Sequence, residues 1–341
     1  MRAPVFLAPL TLAASLAVSL AVPGPAQAAV TVVASIKPIH SLVAGVMQGA
    51  GTPHLIVQGG ASPHSTSLRP SDATALQDAK VVFWVGEGLE AFLEAPLETL
   101  SDKAAVVELA EAPGLKLLAY REGGAWDAHE HEGEEHEHEG EEHEEHAGEE
   151  HAHEEHAGEE HEHEHEHEGA DMHLWLDPDN AQALVARIAQ ALMQADPDNA
   201  SLYLENSKSL ARRLDQLSRE IERDLAPVKA VPFVVFHDAY QYLDTRFGLN
   251  NVGSITVNPE SKPGAARLTE IRGKIAELGA RCVFAEPQFE PRLVQVAIEG
   301  TQARTGVLDP LGADLPDGPD LYFDLMRRNV AELKTCLGEA S

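Results

Sequence analysis

Apolar and polar positions along this chain follow two alternating periods. Short runs of β-branched and aromatic residues predict buried strands, and longer runs with apolar residues every three or four positions predict amphipathic helices. Before residue 110 the predicted strands are 30–36, 54–57, 81–85 and 106–109, and the predicted helices are 38–48, 69–78 and 89–100. Such alternation is typical of parallel α/β architecture.

The same alternation resumes after residue 172. Asp177-Pro178 suits an N-cap followed by a first-turn proline, so a helix is predicted to Gln194. The later predicted strands are 233–236, 252–257, 283–285 and 307–308, and the later helices are 240–247, 268–278, 293–301 and 322–337. Each half of the chain therefore predicts a parallel sheet of its own.

Between the halves lies one long helical pattern. It starts at Asp196-Pro197 and keeps helical leucine spacing to about Leu225, which gives a helix of roughly 30 residues and 45 Å. We interpret it as a rigid link between two Rossmann-like α/β lobes with the binding cleft between them. The predicted bounds are 29–195 for the N-terminal lobe, 196–226 for the linking helix and 227–341 for the C-terminal lobe.

The N terminus has the pattern of a secretory signal peptide. Arg2 precedes an apolar run over 5–22, Pro23-Gly24-Pro25 breaks any helix, and Ala26-Gln27-Ala28 fits the small-x-small cleavage rule. As a transmembrane helix this run is short and broken, and no later run reaches the eighteen or so apolar residues of a membrane span. We therefore predict that residues 1–28 are removed and that the mature protein, without membrane insertion, is periplasmic.

A tract over residues 129–168 consists almost entirely of histidine and glutamate. Its thirteen histidines and twenty glutamates offer no apolar surface to bury, so we expect a disordered insertion in the N-terminal lobe. Imidazole favours zinc, copper and nickel, and such a tract is typical of loose metal binding; a merely solubilising linker is the alternative. The formal charge of −31 comes largely from this tract, and the absence of a basic patch argues against a nucleic-acid partner.

The sequence contains two cysteines, Cys282 and Cys336. In an oxidising compartment they invite a disulfide, which would close a loop of about 54 residues and contribute about 4 kcal/mol in the chain-entropy model. Zinc ligation by the thiolates is the alternative, but two distant cysteines without a Cys-x-x-Cys motif do not favour it.

Four potential metal ligands follow predicted strands. Ligands of open α/β sheets bind beyond the carboxyl ends of strands. His64 follows the strand 54–57, His173 follows the tract, His237 ends Phe-Val-Val-Phe, and Asp309 ends Gly-Val-Leu. Taken alone, each residue is more often a capping or packing residue than a ligand, but two from each half together predict one site in the interlobe cleft.

The predicted ligands are rich in nitrogen, which favours zinc over manganese or magnesium. Three neutral imidazoles with one carboxylate or water give a tetrahedral site. Copper binds such ligands tightly too, so residue type does not exclude it. His40 in the first helix and His54 on a strand are interpreted as structural or exposed.

Several segments in order, from about Val30 to the C terminus, carry a family resemblance. They are Gly-Ala-Ser-Pro-His64-Ser-Thr-Ser-Leu-Arg-Pro-Ser-Asp, Met-His173-Leu-Trp-Leu-Asp-Pro, Phe-His237-Asp-Ala-Tyr, Cys-Val-Phe-Ala-Glu-Pro-Gln and Leu-Asp309-Pro-Leu-Gly. They resemble ZnuA-like zinc-binding proteins of bacterial ABC importers. The resemblance implies a periplasmic receptor, expected to be a monomer, that binds Zn²⁺ in the cleft and delivers it to a permease and its ATPase.

The same resemblance implies that His64, His173 and His237 are the protein ligands. Receptors of the manganese branch generally carry a carboxylate where His237 stands, so its identity argues for zinc. Some zinc receptors have a glutamate before the first histidine, but this chain has Pro63, which has no ligand atom. The fourth position is then Asp309, water or a histidine of the tract, and we favour Asp309.

Two other functions compete with import. A metalloprotease motif, His-Glu-x-x-His, occurs over 161–165, but alternating His-Glu repeats generate it automatically, so we predict that the protein is not an enzyme. A periplasmic zinc store or metallochaperone without a transporter needs the same ligands and remains the alternative to a receptor.

Overall fold

Two parallel four-stranded sheets form the framework of the protein. The computed structural model describes residues 30–121, 126, 169–256 and 264–338, so the predicted signal peptide and the tract lie outside the described residues. The strand orders are β2-β1-β3-β4 and β6-β5-β7-β8, which confirms the predicted α/β class. Along the described part of the chain, no helix is long and apolar enough to cross a membrane.

The N-terminal sheet is buried because its strands are short runs of β-branched and aromatic residues. Val32, Val33, Val82 and Phe83 are all nearly inaccessible to solvent. The strands are β1 Val32–Ala34, β2 His54–Leu55, β3 Val81–Trp84 and β4 Ala105–Glu108, and the helices are α1 Lys37–Val46, α2 Pro70–Asp78, α3 Glu87–Glu90 and α4 Glu94–Leu100.

The prediction of one helix over 89–100 is wrong. The chain forms α3, a 3-10 turn over Ala91–Leu93, and then α4. Pro96 explains the break, because it lacks the N–H that would bond to the carbonyl of Phe92 and its ring clashes there in a continuous helix. Pro96 instead lies in the first turn of α4, where a proline is tolerated.

The C-terminal sheet repeats the topology of the first. Its strands are β5 Phe233–His237, β6 Asn251–Thr256, β7 Cys282–Ala285 and β8 Arg304–Val307, and its helices are α7 Gln241–Phe247, α8 Ala265–Glu277, α9 Pro291–Ile298 and α10 Leu321–Leu337. A disulfide joins Cys282 of β7 to Cys336 of α10. It therefore ties the last helix to a central strand of this lobe.

Two helices connect the two sheets along the chain. Helix α5 spans Pro178–Ala195, and the Asp177 carboxylate accepts a hydrogen bond from the N–H of Asp179 at its start. Helix α6 spans Ala200–Leu225 after a 3-10 turn; its 26 residues extend about 39 Å. Along its length α6 contacts α1 and α5 on one side and α10 of the other lobe.

Direct hydrogen bonds also join the lobes. The Trp175 indole N–H donates to the carbonyl of Pro310 at 2.9 Å, and the Tyr322 hydroxyl donates to the carbonyl of Trp175 at 2.8 Å. Lys37, only 4% exposed, donates to the carbonyl of Leu315 at 2.7 Å. One cluster of buried apolar residues extends through both lobes, and a second, smaller cluster lies within the C-terminal lobe. The walls of the cleft are therefore packed together behind it.

Candidate metal centre

His64 lies in the loop that follows β2. Gly59 allows the turn out of the strand because its φ of +60° is in the left-handed region. Pro63 is buried, and the N–H of His64 donates to the Ser62 hydroxyl at 3.3 Å. This loop carries the imidazole beyond the carboxyl end of the N-terminal sheet.

His173 is held by a short antiparallel bridge and a neighbouring carboxylate. Ala119 pairs with Ala170 across the bridge, which brings the chain before the tract beside the chain after it. One oxygen of Asp171 accepts hydrogen bonds from the N–H of His173 at 2.9 Å and from its Nδ1 at 2.8 Å. The ring therefore turns Nε2 away from Asp171.

His237 is the last residue of β5. Its neighbour in the sheet is β7, with Val235 opposite Phe284, and Glu286 directly follows β7. Nδ1 of His237 donates to Oε1 of Glu286 at 2.7 Å, so Nε2 of this ring also points away from the carboxylate. Two adjacent strands thus determine the orientation of the imidazole.

The structure brings His64, His173 and His237 together. One ring nitrogen of each lies within 4.8 Å of the others. Nε2 of His173 and Nε2 of His237 are 3.3 Å apart, and because each Nδ1 carries the proton, two lone pairs face each other. Nε2 of His64 is buried and has no hydrogen-bond partner among the described residues. A cation bound by all three nitrogens would satisfy every one of these groups.

The surroundings of the rings affect their protonation. Burial, followed by the proximity of His173 and His237, lowers the pKa of His64 well below its usual value, so its imidazole is neutral near pH 7. Burial alone would also lower the pKa of His237, but the charge and hydrogen bond of Glu286 outweigh it, and the pKa is raised. Metal ligation requires the neutral form of both rings.

Asp309 is buried at the start of the loop after β8, but it is outside the three-histidine group that the described residues form. Its carboxylate accepts hydrogen bonds from the N–H groups of Leu311, Gly312 and Ala313 and from the amide of Gln288. The side chain therefore organises the loop that Trp175 contacts. The prediction that Asp309 supplies the fourth ligand remains a prediction.

The other two described histidines make contacts elsewhere in the N-terminal lobe. Nε2 of His40 lies 3.1 Å from the carbonyl of Pro53, and Nε2 of His54 lies 2.9 Å from an Asp72 oxygen. These contacts agree with their interpretation as structural or exposed residues.

Sequence reasoning missed two functional carboxylates, Asp171 and Glu286. Both were visible as candidates: Asp171 lies two residues before His173, and Glu286 occupies the same kind of strand-end position as His237. Carboxylates that accept the second N–H of a ligating histidine fix its tautomer and raise its basicity. The geometry gives this arrangement twice in one site.

The centre opens into a small cavity between the lobes. Besides the three histidines, its walls include Trp175, Phe289 and Pro310. Apolar walls around a nitrogen-rich centre limit the access of water and strengthen electrostatic interactions inside. The arrangement suits the binding of a small dehydrated cation.

Sequence comparisons agree with the site chemistry. A family model described as "Zinc-uptake complex component A periplasmic" matches residues 32–336. The chain is 54% identical over 308 residues to a high-affinity zinc uptake system protein ZnuA of Brucella suis, covering 90% of this chain and 92% of that protein. It is 35% identical to the protein of the same name from Yersinia pestis, covering 91% and 92% of the two chains.

Solved structures share the fold. A crystal structure of ZnuA superposes with a TM-score of 0.67 at 21% identity, covering 89% of this chain and 99% of that one. The laminin-binding protein of Streptococcus agalactiae superposes with a TM-score of 0.68 at 24% identity, covering 90% and 99%. Both likenesses support the two-lobe α/β architecture.

Proposed function

This chain belongs to the ZnuA family of periplasmic zinc-uptake components, and we propose that it captures Zn²⁺ in the periplasm and delivers it to an ABC permease for import. Zinc is the cargo of the site rather than a catalyst. The observation that carries the proposal is the convergence of three ring nitrogens, in a chain 54% identical to a zinc uptake protein. One of these nitrogens is buried with no hydrogen-bond partner among the residues that the structure describes.

We assign His64, His173 and His237 as the protein ligands of Zn²⁺. Three imidazole nitrogens match the zinc preference for nitrogen donors, and a site with three protein ligands keeps one position for water or a small molecule. Asp171 and Glu286 hold two of the rings with Nε2 free. These two carboxylates orient the rings before any ion binds.

The sequence favours Asp309 as the fourth ligand, but its hydrogen bonds in the structure lead us to propose water at that position instead. Asp309 already accepts three backbone N–H bonds and one side-chain bond, and reaching a metal would require it to release several of them. Each buried donor or acceptor that loses its hydrogen-bond partner costs on the order of 1–3 kcal/mol of free energy. Asp309 ligation therefore requires a rearrangement of its loop, whereas water requires none.

A titration against a chelator of known zinc affinity tests the ligand assignment. His64→Ala, His173→Ala and His237→Ala should each weaken zinc binding by orders of magnitude, while His54→Ala, which removes a histidine outside the group, should not. Unchanged affinity in all three ligand variants would refute the site.

Delivery needs a separate test. Zinc uptake should be measured in cells that lack this protein and are supplied with either the native chain or His237→Ala. The native chain should restore uptake under zinc limitation, and the variant should not. If the native chain binds zinc tightly yet restores nothing in cells with an intact permease and ATPase, the protein is a store or metallochaperone instead.

A further inference from the structure

The three proposed ligands do not compensate the charge of the cation that they would bind. Three neutral imidazoles contribute no charge, so Zn²⁺ would bring two positive charges into a largely buried space. An unpaired buried charge is costly, and buried charges are normally matched by partners of opposite sign. The site therefore needs two negative charges near the ion.

Two carboxylates directly behind the ligands satisfy this need. Asp171 is 1% exposed and Glu286 is 3% exposed, and each contacts one ligand through its Nδ1. Within the described residues neither forms an ion pair with lysine or arginine; their pairs are with His173 and His237 alone. The second oxygen of each is buried and lacks a hydrogen-bond partner in the same described part of the chain.

Other buried acidic groups near the centre have different partners. The Asp309 carboxylate accepts hydrogen bonds from three backbone N–H groups. Arg121 forms ion pairs with both Asp238 and Asp244 and offsets one of their two charges. Asp171 and Glu286 differ because the basic group that each contacts is a proposed metal ligand, so the cation that the histidines hold is their counterpart.

We infer that Asp171 and Glu286 set the charge of the cation that the site accepts, selecting a divalent ion over a monovalent ion of similar ligand preference such as Cu⁺. Two carboxylates neutralise Zn²⁺, whereas Cu⁺ bound at the same nitrogens leaves one negative charge uncompensated. This inference rests on the proposed zinc site. It assigns to these residues a role in specificity beyond holding the rings.

Amide variants separate charge from position. In Asp171→Asn and Glu286→Gln the amide oxygen still accepts the Nδ1 hydrogen bond, but one negative charge is lost. Zn²⁺ and Cu⁺ affinities should be measured on the full chain by competition with chelators, at one molar equivalent of metal and with ascorbate to maintain Cu⁺. Zinc should bind about 10- to 100-fold more weakly, as for other changes behind metal ligands. Cu⁺ carries half the charge and loses about half the electrostatic free energy, so it should bind only about 3- to 10-fold more weakly.

Asp72→Asn is the matched control. Asp72 is also 1% exposed and contacts a histidine, His54, at 2.9 Å, but that histidine lies outside the centre. This variant loses the same charge and should leave the ratio of zinc to copper affinity unchanged. X-ray absorption at the zinc edge should show imidazole nitrogen ligands in every variant, which checks that the rings still bind.

The outcomes are distinguishable. A fall in the zinc-to-copper affinity ratio of about threefold or more in both amide variants, with the control unchanged, supports the inference. A smaller change in the ratio, including equal weakening of both ions, overturns it and leaves the carboxylates with an orienting role only. If the native chain itself binds zinc no more tightly than His64→Ala does, the proposed function fails, which is a separate result.

Discussion

The indole of Trp175 and the carbonyl of Pro310 join the two lobes beside the metal centre through a 2.9 Å hydrogen bond. Trp175 is two residues after a proposed ligand and fully buried, and Pro310 belongs to the loop that Asp309 organises. A movement of the Trp175 segment is therefore coupled to a movement of the Pro310 loop across the cleft. Together with α6, this bond implies that the cleft does not open by separation of the lobes.

We predict that zinc loading changes loop positions more than lobe positions. Spin labels placed by cysteine substitution at exposed Gln77 of α2 and Glu277 of α8 report the distance between lobes. The mean distance should change by less than about 2 Å between apo and zinc-bound protein, the scale typical of pre-organised binding surfaces. A larger closure on zinc binding would contradict a rigid link.

Glu90 makes stability depend on pH. Burial raises its pKa to about 7, although the N–H groups of Val85 and Gly86 donate to it and offset part of the effect. Because the folded state holds this proton more tightly than the unfolded state, the free energy of unfolding falls as pH rises from about 4.5 to about 7. The total change is on the order of 3 kcal/mol.

Glu90→Gln should flatten this pH dependence. Urea unfolding of the zinc-free protein at pH 5 and pH 8 measures it: the native chain should be less stable at pH 8 through this group, and the variant should lose most of that difference. Glu98→Gln, at an exposed position of α4, is the control and should keep it. Identical pH profiles for the native chain and Glu90→Gln would show that Glu90 does not titrate as described.

The disulfide should stabilise the C-terminal lobe. Its 54-residue separation gives about 4 kcal/mol from restriction of the unfolded chain. Paired Cys282→Ala and Cys336→Ala substitutions should lower the free energy of unfolding by an amount of that order, measured with urea. Zinc affinity at the centre should change little, because neither cysteine contacts a proposed ligand; a loss of zinc binding in a still-folded variant would be the contrary result.

Deletion of the tract over 129–168 should retain one tight zinc site. The composition of the tract predicts that its imidazoles must be ordered on each binding event, which costs conformational entropy, so their affinity per ion should be lower than that of a preformed centre. Calorimetry should show that the weak sites disappear with the tract and that the tight site persists, with slower growth chiefly under zinc starvation. If the tight site also disappears, a tract histidine supplies the fourth ligand.

The sequence predicted the architecture because the same runs of apolar residues indicate both where each strand lies and that it is buried. The strand-end rule found His64 and His237 because ligands of open α/β sheets bind beyond the carboxyl ends of the strands. His173, which the sequence also placed at a strand end, lies instead between the bridge at Ala170 and a 3-10 turn. The strand-end rule placed Asp309 near the carboxyl ends of the strands but could not indicate which way its oxygens point. Three backbone N–H groups of its own loop decide that, and no pattern of residue types encodes them.

The supporting carboxylates illustrate the same limit. Glu286 becomes meaningful only through the register that sets β7 beside β5, which a single sequence does not specify. Asp171 depends on the bridge between chain segments on either side of the tract. Pro96, by contrast, could have predicted the helix break from the sequence alone. The helical spacing of the apolar residues around it led instead to the prediction of one continuous helix.

The bridge between Ala119 and Ala170 separates the length of the tract from the geometry of the metal centre. Ala119 and Ala170 are paired, and Tyr120 donates to the carbonyl of Gly169, so the fold is already closed where the tract leaves and returns. Loop-closure entropy grows slowly with length, by about 0.6 kcal/mol for each doubling of a loop between fixed ends. A change in the number of Gly-Glu-Glu-His units would therefore alter the number of imidazoles without altering the bridge that positions Asp171 and His173.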